Sequence, residues 1–74
     1  MNPIRTALHN AARHYAKQAH LAWINAHTAS CHMFTYAVTG KGIERRLETV
    51  LYLNAYGQYK SHLNKAQRCR EMMK

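Results

Sequence analysis

Between Ile4 and Val38 nothing in the chain breaks a helix. The single proline stands at position 3, the first glycine at position 40, and nine residues of the interval are alanine, the strongest helix former. Asn2-Pro3 is a good start for that helix, with Asn as the N-cap and Pro at the first helical position. Thr39-Gly40-Lys41-Gly42 is the only clear turn. A second helical stretch runs from Ile43 to about Met72. Glu44 and Glu48 lie near its start and Lys65, Arg68, Arg70 and Lys74 near its end, as the helix dipole favours. The reading is therefore all-α: one domain over 1–74, with helix 1 about 3–38, a turn at 39–42 and helix 2 about 43–72. These fold into an antiparallel two-helix hairpin. A first helix of this length far exceeds the ordinary ~11–12 residues. Helix propensity is weakest at His27-Thr28-Ala29-Ser30. A break there, at 27–30, gives three helices as the alternative.

The small and apolar residues of the first segment follow the track Ile4, Leu8, Ala11, Tyr15, Ala19, Ala22, Ala26, Ser30, Met33, Ala37. Its 4-3-4-4 steps approximate an 11-residue repeat and predict a straight or slightly right-handed stripe. The second segment offers Ile43, Leu47, Val50, Leu51, Ala55, Tyr59, Leu63 and Ala66, flanked by Tyr52, Leu53 and Tyr56. Val50-Leu51-Tyr52-Leu53 is apolar on every side of a helix, more than one hairpin can bury. Self-association through Val50, Leu51 and Leu53 into a homodimeric helical bundle is therefore expected. Folding about Gly40/Lys41 pairs positions whose numbers sum to about 81. Gly57 then faces Trp23 and Ile24, either to make room for the indole or because helix 2 breaks at Tyr56-Gly57. Asn54 faces His27 as a buried polar pair that fixes register. Cys31 and Cys69 come out roughly 28 Å apart, beyond disulfide reach.

Eleven Lys and Arg against three Glu and no Asp give a net charge of +8. So few carboxylates leave almost no material for acid/base pairs or for Asp-held metals, and the three glycines match no phosphate loop. The expectation is a protein that is not an enzyme and has no cofactor or small-molecule substrate. No apolar run approaches the ~18 residues of a membrane span, and MNPIRTALHN has no signal-peptide core. A cytoplasmic protein with reduced thiols and no membrane contact is expected.

His20, His27 and Cys31 share one helical face at spacings of 7 and 4. They could offer imidazole and thiolate to zinc, but no fourth ligand is evident, and helix-surface histidines arise by chance in a chain with six. The same histidines would raise the charge on protonation, or simply be solvated. Trp23, Tyr52, Tyr56, Arg45 and Arg46 are the residue types that anchor protein interfaces, and they are the candidates for partner binding. The same aromatics could equally serve as core. Lys60, Lys65, Arg68 and Arg70 make a nucleic-acid surface the alternative, with tyrosines able to stack on bases. No nucleic-acid-binding signature accompanies them.

The stretch Cys31-His-Met-Phe-Thr-Tyr-Ala-Val-Thr-Gly40, followed by Ile43-Glu-Arg-Arg-Leu-Glu-Thr-Val-Leu-Tyr-Leu-Asn-Ala-Tyr56, loosely resembles the Kil-like peptides of lambdoid phages. The shared pattern is an aromatic helix end, a Gly-containing turn and a second amphipathic helix with an Ala-Tyr element. It covers about a third of the chain. The resemblance implies a phage or mobile-element accessory factor that binds and inhibits part of the host division machinery without enzymatic activity. The expected function is a small helical interaction protein that modulates a host or regulatory protein with an acidic surface. A basic nucleic-acid-binding accessory protein is the alternative.

Overall fold

A computed structural model describes residues 2–74. Two helices make up the hairpin, α1 over Pro3–Thr39 and α2 over Gly42–Met72. They lie side by side in a rod of 58 × 13 × 12 Å. At the start of α1 the Asn2 side chain accepts from the Ile4 N–H at 3.0 Å, which confirms the capping role. At its end Gly40 takes the left-handed conformation, φ 77°, and the Lys41 N–H donates to the Tyr36 carbonyl at 2.9 Å. This six-to-one closure is the glycine-dependent helix stop, since an L side chain at that φ is strained.

α1 runs unbroken through 27–30, so the three-helix alternative does not occur. The Thr28 hydroxyl there is satisfied within the helix. Thr28 donates to the Ile24 carbonyl at 2.9 Å, and Thr35 repeats the bond to Cys31 at 3.1 Å. The propensity deficit of each such residue is below about 0.7 kcal/mol, too little to end a helix packed along its whole length.

The seam between the helices differs from the sequence expectation in period and in composition. On α1 the covered track is Leu8, Ala12, Tyr15, Ala19, Ala22, Ala26, Ala29, Met33 and Tyr36. Its steps alternate strictly between 4 and 3. That is a seven-residue repeat, which favours a left-handed supercoil, not the 11-residue stripe. Ile4 is exposed, Ala11, Ser30 and Ala37 lie off the seam track, and Ala12, Ala29 and Tyr36 take the places of those three. On α2 the covered track is Glu48, Tyr52, Ala55, Tyr59, His62, Ala66, Cys69 and Met73. The expected aliphatics are not in it: Ile43, Leu47, Val50, Leu51 and Leu63 are all exposed, Ile43 to 75%.

Among the described residues the buried ones are seven alanines, and no large side chain is fully buried. Alanine on both sides lets two backbones approach closely, at the cost of small buried area per residue. Larger rings fill the seam at intervals. Tyr15 stacks on His62 with ring centroids 6.3 Å apart, and His32 Nδ1 meets Glu48 Oε1 at 3.3 Å. Lys65 lies over the Tyr15 ring at 5.6 Å. The pairs 32 with 48 and 15 with 65 each sum to 80, close to the register expected from the turn.

Gly57 and Asn54 correct two expectations. α2 passes straight through Gly57, and a Cβ placed there would meet nothing within 4 Å. The glycine therefore neither makes room for Trp23 nor breaks the helix. Gly57→Ala is expected to raise stability by about 1 kcal/mol, read as a higher midpoint in urea unfolding with an unchanged slope. Asn54 and His27 are both exposed and line grooves on opposite sides of the hairpin, so they form no buried pair.

Candidate functional site

The heptad positions divide the surface of the hairpin into two faces. One groove is lined by Asn25, Thr28 and His32 of α1 with Glu48, Leu51 and Asn54 of α2. Polar residues, Glu48 among them, outnumber apolar ones in this lining, and no tyrosine or tryptophan enters it. On the other side of the seam lie two adjoining hollows. The first, of about 400 Å³, is lined by Ala16, Ala19, His20 and Leu63 together with Trp23 and Tyr59. The second, of about 380 Å³, is lined by Ala26, His27, Ser30, Tyr52 and Tyr56 together with the same Trp23 and Tyr59. Nearer the open end, Arg5, His9, Arg70 and Lys74 line a further groove on this face.

Helical spacing builds this aromatic face. Trp23 and His27, four apart, stack with centroids 5.4 Å apart and planes within 6°. Tyr52 and Tyr56, four apart, stack at 6.0 Å and 9°, and Tyr56 meets Tyr59 at 6.1 Å. The ammonium of Lys60 sits 5.0 Å from the Tyr56 centroid. Trp23 stays 47% exposed. Tyr59, a member of the apolar track of the second segment, completes the site as the wall shared by both hollows. Its seven-residue spacing from Tyr52 and Ala66 is the signal that could have placed it there.

The acids avoid this face. Glu48 lines the opposite groove, and Glu71 lies on the outside of α2, accepting from Gln67 Nε2 at 3.3 Å. No carboxylate lines any of the three grooves on the aromatic side. Arg13, one heptad before His20, and Arg46, two heptads before Lys60, add exposed cations to the same side. The face is therefore aromatic in its middle and cationic along its rim and at its open end.

The structure thus brings together Trp23, Tyr52 and Tyr56. Arg45 and Arg46 stand near the start of α2, toward the hairpin tip and outside the hollows. Val50, Leu51 and Leu53 are all exposed but point three ways. Leu51 borders the polar groove, Leu53 lies on the aromatic side one heptad from Lys60, and Val50 faces outward with Ile43 and Leu47. Lys60, Lys65, Arg68 and Arg70 are likewise spread around α2, with Lys60 on Tyr56, Lys65 on Tyr15, Arg68 by Asn64 and Arg70 in the open-end groove. Cys31 Sγ lies 3.8 Å from His27 Nε2. Among the described residues no three His, Cys, Asp or Glu side chains gather as a metal site, and His20 lines a hollow instead. Both cysteines are free thiols, and no described helix is long and apolar enough to cross a membrane.

These features define a class: an all-α antiparallel hairpin with an alanine seam and an acid-free aromatic face. No family model matches the chain, and no curated protein or solved structure does.

Proposed function

We propose that the chain is a small interaction protein that acts by binding, not by catalysis, and that its partner is a protein with an acidic surface. The carrying observation is where the large side chains lie. The core is made of alanines, while Trp23, Tyr56 and most of the large aliphatics are exposed. A small single core supplies only a few kcal/mol, and a core of methyl groups less than most. Exposed aromatics beside arginine are the usual anchors of interfaces. The cationic rim would speed encounter with an acidic partner. In line with the Kil-like resemblance, the partner is a host or regulatory protein met in the cytoplasm. The test is capture from nuclease-treated host lysate with wild type and with the Trp23→Ala/Tyr56→Ala double variant. One protein held by wild type and lost by the variant is expected. Capture that the variant leaves unchanged contradicts the reading.

The same reading includes self-association through the outward stripe of Ile43, Leu47 and Val50, which lies away from the aromatic face. Light scattering is expected to give twice the 8.6 kDa of one chain. Val50→Glu, which puts a charge into the stripe, is expected to return the protein to one chain. A wild type that stays at one chain at high concentration removes this part.

A further inference from the structure

The two hollows have a spacing of their own. On α1 the first is lined by Ala16, Ala19, His20 and Trp23 and the second by Trp23, Ala26, His27 and Ser30, each residue seven after its counterpart. They are therefore offset by roughly one heptad, about 10 Å along the axis. Trp23 and Tyr59 stand between them as a common wall. Along this edge of α1 the heptad-spaced residues are Ala16, Trp23 and Ser30, so a large side chain alternates with two small ones. Such a row of dips and ridges accepts side chains seven apart on a neighbouring helix, the way a third strand joins a coiled coil.

The electrostatics choose among the possible occupants. Lys60 lies over Tyr56 at the edge of the second hollow, Arg13 and Arg46 are exposed on the same side of the hairpin beyond the hollows, and no carboxylate lines either hollow. A second copy of this chain carries eleven Lys and Arg against three Glu and would set cation against cation. Single-stranded nucleic acid would match the charge, but stacking on a base needs an open ring face. Tyr56 has Tyr52 stacked four residues before it and the Lys60 ammonium four residues after it, and Trp23 gives a face to His27. Tyr56 is thus covered by its own neighbours and Trp23 on one face, while the small-residue dips on either side of Trp23 stay open.

We infer that the occupant of this face is an acidic amphipathic helix of the partner protein. It inserts two large apolar side chains seven residues apart into the hollows on either side of Trp23–Tyr59, with its carboxylates toward Lys60, Arg13 and Arg46. The inference rests on the reading of this face as the binding site and names the kind of segment it takes.

The test uses the full chain and four probes without tryptophan: a 21-residue acidic helical peptide with leucines seven apart, the same peptide with leucines five apart, its Lys-for-Glu counterpart, and an oligothymidylate. Trp23 is the only tryptophan, so its emission reports binding directly. The acidic seven-spaced peptide is expected to bind at least ten times tighter than the other three, and to weaken as salt rises. Ala16→Leu and Ser30→Leu, which each fill one hollow, are expected to weaken it at least tenfold, with helicity by circular dichroism unchanged. Ser30 is exposed, so its variant tests the hollow even if the Ala16 variant perturbs the seam. Equal binding of the five-spaced peptide overturns the inference, and so does no binding of the acidic peptide or tighter binding of the oligothymidylate. Oligothymidylate binding that Tyr56→Ala abolishes would keep the face as a binding site while removing the acidic helix. Loss of the broader reading is seen separately, as lysate capture indifferent to Trp23→Ala/Tyr56→Ala.

Discussion

Ala19→Leu is expected to destabilise the hairpin by about 1–3 kcal/mol, the usual cost of forcing extra methylenes into a tightly packed site. Ala19 is 2% exposed in the middle of the seam, where close approach of the backbones depends on its small size. A larger side chain must either push the helices apart or leave its rotamer well. In a domain of this size each kcal/mol lowers the melting temperature by about 4–8 °C, so the effect is plain in a thermal scan. The comparison that gives the result its meaning is Leu53→Ala. Removing an aliphatic that is 61% exposed is expected to change stability by less than about 0.5 kcal/mol. An ordinary leucine-cored hairpin would show the opposite order, with the leucine deletion costly and the alanine enlargement tolerated.

The second large effect concerns binding. Trp23→Ala is expected to weaken binding of the captured partner by about 30-fold or more, the ~2 kcal/mol expected of an interface hot spot. Trp23 separates the two hollows, and its loss merges them and removes the stacking partner of His27. Isothermal titration against the captured partner measures it. Leu21→Ala is the control: Leu21 has nearly the same exposure but lies on the polar side, one heptad before Thr28. It is expected to change affinity less than twofold. Equal losses from the two variants would mean that binding does not distinguish the faces.

Helix limits and hairpin topology were legible because they depend on local signals: Pro3, the long alanine-rich interval and Gly40. The seam was harder to read, for a physical reason. Small residues occupy both candidate tracks of α1, so Ala29-Ser30 and Tyr36-Ala37 suit an 11-residue repeat as well as a seven-residue one. In α2, hydrophobicity pointed to Leu47, Val50 and Leu63. The seam instead follows the track on which Ala55 and Ala66 meet the alanines of α1, and it carries Tyr52, Tyr59 and His62 with them. Tertiary fit outweighed side-chain hydrophobicity. One cost of that choice is visible at His62, whose Nδ1 is buried without a hydrogen-bond partner. The aromatic cluster was anticipated as residues but not as a face, since its shape depends on the seam register. Once that register is fixed, Trp23, Tyr56 and Tyr59 fall on one side and Glu48 on the other.

α2 meets α1 through its alanine and tyrosine track and leaves its aliphatics outside. The measurement that tests it most directly is a nuclear Overhauser spectrum of labelled protein, with isotope filtering to separate contacts within a chain from contacts between copies. Contacts within one chain are expected between the rings of Tyr15 and His62, and between the methyls of Ala26 or Ala29 and α2 residues at Tyr52 and Ala55. Val50 and Leu47 methyls are expected to show no contact to α1 within the same chain. Val50 or Leu47 contacting α1 of its own chain, with Tyr52 turned outward, would contradict the seam and the aromatic face built upon it.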